Sequence, residues 1–139
     1  MTILHSPDGQ AIANGEGTLL ASAARTATTD SPVQMNQNAR GVVLFLRVTA
    51  ASGSGGLVAR IVGFDPTTGQ SVILHPDPTA ITAVGVYGYE LSPGAAGGTA
   101  GPGRVNQRTA GNLPHSWMAQ VFHGDGSSYT YSLGFATVV

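Results

Sequence analysis

Two apolar runs within residues 41–65 limit this chain more than any other feature. Gly41-Val42-Val43-Leu44-Phe45-Leu46-Arg47-Val48-Thr49-Ala50-Ala51 leads into Ser52-Gly53-Ser54-Gly55-Gly56, and Leu57-Val58-Ala59-Arg60-Ile61-Val62-Gly63-Phe64-Asp65 follows. β-Branched and large apolar residues dominate both runs, whereas the serine–glycine link suits a turn and no strand interior. The spacing predicts a β-hairpin. Side chains alternate along a strand, so Val42, Leu44, Leu46, Val48 and Ala50 share one face, and Val43, Phe45, Arg47 and Thr49 share the other. In the second run Leu57, Ala59 and Ile61 oppose Val58, Arg60, Val62 and Phe64. Both faces are largely apolar. One can feed a core; the other needs a cover, from another layer of the chain or from a partner.

The rest of the chain reads the same way. Residues 1–17 contain Ser6-Pro7-Asp8-Gly9 and Asn14-Gly15, both turn signals, and read as an N-terminal arm with a short strand around Ile3 and Leu4. Residues 18–29 are predicted as a strand, although Leu19, Leu20, Ala23 and Ala24 would also suit a short helix. A short strand is expected over 70–75, and two more over 79–84 and 86–92, bent at Gly85. In the last of these Tyr87, Tyr89 and Leu91 oppose Val86, Gly88 and Glu90. Residues 93–116 are rich in glycine and read as a long loop: a ligand lid, a segment without fixed structure or, the favoured reading, an arm reaching a neighbour. A final hairpin is expected from 117–123 and 129–139. Trp117, Ala119, Val121 and His123 form its inner row against Met118, Gln120 and Phe122, matched by Tyr129, Tyr131, Leu133 and Phe135. About seven or eight short strands with turns at close intervals indicate an all-β, single-domain β-sandwich, jelly-roll or Ig-like, over residues 18–139. Helix is expected to stay below about 15%, against a usual share near a third.

Composition narrows the chemistry. The 139 residues include no cysteine, which excludes disulfides and thiol nucleophiles, and no lysine, which excludes a P-loop and Schiff-base catalysis. Only 9% of residues are charged, with a net charge of −1, so the basic field that nucleic acid requires is missing. A surface so poor in charge has little self-repulsion to keep copies apart. No apolar run reaches the roughly 20 residues of a membrane helix, and residues 1–17 have no secretory pattern. No G-x-S-x-G elbow occurs.

Two clusters could carry chemistry. His123-Gly124-Asp125 could orient a proton relay or hold a metal, but the alternation favours His123 closing an inner row while Asp125 caps a turn. His75 and Asp77 could be a pair of metal ligands, but Pro76 and Pro78 favour a rigid turn. His5 and His115 have no neighbours of interest. Trp117 and the tyrosines could form a sugar-binding platform, yet they fall on the row assigned to the core. The expectation is no catalytic, cofactor or metal site.

Several short motifs resemble a family of small β-rich virion proteins of tailed bacteriophages, described as head decoration or minor structural proteins. They are Leu-Leu-Ala-Ser-Ala-Ala-Arg-Thr-Ala-Thr-Thr at 19–29, Asn-Ala-Arg-Gly-Val at 38–42, Val-Thr-Ala-Ala-Ser-Gly at 48–53 and Gly-Phe-Asp-Pro-Thr-Thr-Gly at 63–69. Further along come Ala-Ile-Thr-Ala at 80–83, Leu-Ser-Pro-Gly at 91–94, Leu-Pro-His-Ser-Trp at 113–117 and His-Gly-Asp-Gly-Ser-Ser-Tyr-Thr-Tyr-Ser at 123–132. Together they cover most of residues 18–136. The resemblance implies a non-enzymatic capsid decoration (cement) protein, made in the host cytoplasm and carried on the phage head surface. Its implied partner is the lattice of the major capsid protein. A homo-oligomer is expected, with a trimer favoured. A tail or baseplate component, or a carbohydrate-binding adhesion module, is the alternative. Where the family carries polar outer rows, this chain has Val58, Val62, Phe64, Met118 and Phe122. The expected interface therefore comprises Val43, Phe45, Arg47, Val58, Arg60, Val62, Phe64, Glu90, Met118 and Phe122. In a hairpin centred on Ser54, Arg47 and Arg60 would lie nearly opposite. Glu90 or a carboxylate from a neighbouring subunit would then be needed between them.

Overall fold

The computed structural model describes residues 15–139, all of them in strands and their connections with no helix. The strand expected around Ile3 and Leu4 lies outside these residues. Among the described residues ten strands form two sheets. Sheet 1 runs in the order β1 (Glu16–Arg25), β10 (Tyr129–Val138), β4 (Gly41–Ala51), β7 (Gly85–Ser92), β8 (Arg104–Ala110). Sheet 2 runs β2 (Thr29–Asp30), β9 (Ser116–His123), β5 (Leu57–Phe64), β6 (Ser71–Ile73), and β3 (Gln34–Met35) also pairs with β9. Every pairing is antiparallel except β7 with β8. The chain is a β-sandwich.

The hairpin expected over residues 41–65 does not form. β4 pairs with β10 and β7, whereas β5 pairs with β9 and β6, so the serine–glycine link passes from one sheet to the other. The pair β9 and β10 is split in the same way. Stacked sheets lie about 10 Å apart, a span that five residues cross easily. The two crossings run side by side: the Ser52 amide donates to the Ser128 carbonyl at 3.1 Å, and the Gly124 amide donates to Gly56 at 3.0 Å. Gly56 takes a φ of 78°, open to glycine at little cost, where the link turns into β5. Burial explains the choice. In separate sheets the inner rows of β4 and β5 meet face to face, and each becomes the other's cover.

That core holds the expected residues. Leu44, Leu46, Ile61, Tyr89, Trp117, Val121 and Tyr131 are all buried, and Trp117 meets Phe135 edge-on with ring centroids 5.8 Å apart. Burial pushes the Tyr89 phenol up to about 12. Residues 18–29 supply a strand rather than a helix, as β1. Two other segments differ from expectation. Residues 93–116 contain β8, which reads as polar loop because only Gln107 of that strand is buried. Residues 79–84 make no strand, and keep a single bridge from Ile81 to Leu57.

The free edge of β5 is held in an unusual manner. β6 covers it as far as Ile73, and Ile81 returns to it at Leu57. Between them the ring of His75 stands in for a strand: its Nε2 accepts the Ile61 amide at 2.9 Å, and its Nδ1 faces the Pro76 carbonyl at 2.9 Å. Only the neutral ring protonated on Nδ1 can make both bonds. His75 therefore has a structural task, with both ring nitrogens engaged.

Candidate docking face

The ten interface residues expected from sequence do not share one surface. Val43, Phe45, Arg47 and Glu90 lie on the outer face of sheet 1. Val58, Arg60, Val62, Phe64, Met118 and Phe122 lie on sheet 2. Arg47 and Arg60 therefore never face each other, because their strands belong to opposite layers.

The sheet 2 group is largely satisfied within the chain. Val58 and Val62 are only 4% and 2% exposed, so neither is available to a partner as the chain stands. Arg60 makes the bidentate carboxylate contact expected of an interface arginine, but the carboxylate is Asp77. Nε donates to Oδ1 at 2.8 Å and Nη2 to Oδ2 at 2.6 Å. Nη1 donates to the Gln120 side chain at 3.0 Å, and Gln120 donates to Asp30 at 2.9 Å. The guanidinium also stacks 4.1 Å from the centre of the Phe122 ring. The contact with Asp77 raises Arg60 above its ordinary value, and the Arg60 hydrogen bond holds the Asp77 carboxyl below its own. Phe64 is half-buried in a groove of about 530 Å³ at the end of the sandwich, shared with Val33, Pro66 and Pro114. The polar groups there are already used: Asp65 accepts from Thr67 and Thr68, and His115 bonds the Asn36 carbonyl.

Sheet 1 presents a different surface. Strand register places Thr18, Gly134, Phe45, Gly88 and Val105 in one row across five strands. Phe45 is 43% exposed and stands between two glycines, with a groove of about 350 Å³ on the Gly134 side and one of about 180 Å³ on the Gly88 side. One row along, Arg47 lies between Ser132 and Val86, and Val86 is also 43% exposed. One row the other way, Val43 lies between Ala136 and Glu90, and Glu90 is followed by Arg108. Glu90 accepts from the Ser92 hydroxyl at 2.7 Å and sits 3.7 Å from the Arg108 guanidinium. Sequence alternation had put Val86 on this outer row. What it did not carry was the pair of glycines beside Phe45, a coincidence of register between three strands.

The remaining candidates are spent on structure. Asp125 caps its turn through the Ser127 amide at 2.9 Å, and that bond holds its carboxyl below the ordinary value. His123 is buried, with Nε2 3.0 Å from the Tyr131 hydroxyl. Trp117, Tyr87, Tyr89, Tyr129 and Tyr131 are all buried, which removes the exposed stacking platform that a sugar site would need. Among the described residues no group of three His, Cys, Asp or Glu side chains is placed to hold a metal ion, and no helix is long and apolar enough to cross a membrane. Comparison with protein-family models, curated proteins and solved structures found no match to this chain.

Proposed function

We propose that this chain is a structural virion protein of a tailed phage, a capsid decoration protein whose copies meet through the outer face of sheet 1 as they cover the shell. The carrying observation is that face: Phe45 and Val86 stand exposed in the middle of a sheet, with Arg47 beside them. Side by side in mid-sheet, with grooves on both flanks of Phe45, they form a small apolar centre suited to a contact. The motif resemblance supports the head shell as the surface bound, with the same sandwich on a tail or baseplate as the rival placement. A decoration protein acts by linkage: it binds the assembled lattice and not its free subunits, so its binding free energy adds to the stability of the shell. Its partners are the shell lattice and further copies of itself.

The test is co-sedimentation with particles that lack the protein. Phe45→Asp is expected to fold normally and to lose binding by at least about tenfold, because a charge then sits at the centre of the contact. Phe64→Asp, at the far end of the other layer, is the control and is expected to retain binding. Undiminished binding by Phe45→Asp would remove sheet 1 as the docking face.

A further inference from the structure

Arg47 and Glu90 occupy related places on the docking face. Arg47 lies one row to one side of the Phe45–Gly88 pair, on β4; Glu90 lies one row to the other side, on β7. They are thus diagonally opposed about the midpoint of that pair. A two-fold axis lying in the face and passing through that midpoint carries each copy's Arg47 onto the other's Glu90. The same operation brings Phe45 against Phe45 close to the axis, where the glycines at 88 and 134 leave room for two rings to lie offset. Val86 and Val43 then flank the rings on either side. We infer that the outer face of sheet 1 closes on a second copy of this chain, as a two-fold pair held by Phe45 at its centre and two reciprocal Arg47–Glu90 contacts.

Charge and size both favour this occupant. Arg47 and Glu90 are complementary to each other on one patch, which is what a two-fold contact requires; a ring of three brings together two different patches. Glu90 is held on its own chain by the Ser92 hydroxyl and by Arg108 at 3.7 Å, and its side chain keeps 19% exposure. Arg104, like Arg108 a residue of β8, borders the groove beside Phe45 with Val105. Five strands about 4.8 Å apart and about eight residues long make a face of roughly 600 Å² in plane, close to the ~800 Å² of accessible surface that each partner of a stable pair buries. The inference rests on the reading of this face as a docking surface and names what docks there.

A complementation experiment tests it. Arg47→Glu alone places two carboxylates together at both ends of the pair, and Glu90→Arg alone places two guanidinium groups together. Each variant is expected to weaken self-association by about tenfold or more in sedimentation equilibrium. Mixed in equal amounts, the two restore both contacts, and the mixture is expected to pair within about threefold of the wild type. A defect in folding cannot be rescued by mixing, and Phe45→Asp supplies a second variant expected to be monomeric. The inference is overturned by a mixture that pairs no better than its components, by a Phe45→Asp protein that still pairs, or by a monomeric wild type at tens of micromolar. A wild type that is monomeric yet sediments with particles would end the two-fold pairing and leave the decoration reading intact. One that pairs but ignores particles would do the reverse.

Discussion

Leu46→Ala is expected to destabilise the protein by about 2–5 kcal/mol, measured by chemical denaturation. Leu46 is fully buried, lies between Leu133 and Tyr87 in register, and faces the opposite sheet across the core. Its truncation removes buried methyl groups and leaves a cavity walled by two sheets, whose hydrogen-bonded strands have little freedom to collapse inward. Phe45→Ala, one residue away, makes the comparison sharp. Its side chain points outward and is 43% exposed, so the cost to the isolated chain is expected to stay below about 1 kcal/mol. The pair reports directly on the alternation of β4. A cheap Leu46 and an expensive Phe45 would mean that the two faces are interchanged.

The second large effect concerns His75 and acid. Burial lowers both His75 and His123 from an ordinary value of 6.5; at His75 the Pro76 carbonyl and Asp77 oppose that shift and Arg60 reinforces it. Unfolded, both rings take up a proton near pH 6.5, while folded they resist until lower pH. Between those two values the unfolded chain binds more protons, so stability rises with pH across the window. The contribution is fully present above about 6.5 and lost below the folded values. Asp77, also lowered, acts further down: its share is present above about 3.8 and lost as pH falls through its folded value. His75→Leu is expected to cost about 1–3 kcal/mol at pH 7.5, because the Ile61 amide loses its acceptor within the fold. It is also expected to flatten the fall in stability between pH 7 and pH 5. Denaturant melts at several pH values check both; an unaltered slope would take His75 out of the acid response.

Alternation was legible because each strand is its own evidence. The row containing Leu44 and Leu46, and those containing Tyr89, Trp117 and Tyr131, are read from neighbours two residues away, and no partner need be known. Pairing was not legible, for a physical reason. Ser52-Gly53-Ser54-Gly55-Gly56 has the length and flexibility either to reverse a strand within a sheet or to cross between sheets, and nothing local distinguishes the two. The misassignment of Arg47 beside Arg60 follows from that single ambiguity. Val58 and Val62 look like exposed outer-row residues from their own strand alone. β5, however, has chain alongside it throughout, first β6, then His75, then Ile81, with Asp77 clamping Arg60. β8 was hidden for the opposite reason: an edge strand with few buried side chains has the composition of a loop. For the docking face, Val43, Phe45, Arg47 and Glu90 could be named from alternation. The grooves beside Phe45 could not, since they arise where Gly134 and Gly88 from distant parts of the chain come into register.

The place of β10, between β1 and β4, also sets the order in which this molecule can come into being. During synthesis β1 emerges before the rest of the sheet, and β10, its neighbour among the described residues, is still unmade; Arg25 and Tyr131, which meet in the finished sheet, are 106 residues apart. At the usual pace of translation, about 5–20 residues per second, β1 waits five to twenty seconds or so for that partner. β4 waits too, with only β7 to hold it in the meantime. Sheet 1 therefore closes in one late event, when β10 slides between two strands that have been waiting for it. Nascent chains stalled before residue 129 are expected to leave β1 open to protease, and chains carried past residue 138 and clear of the ribosome to protect it.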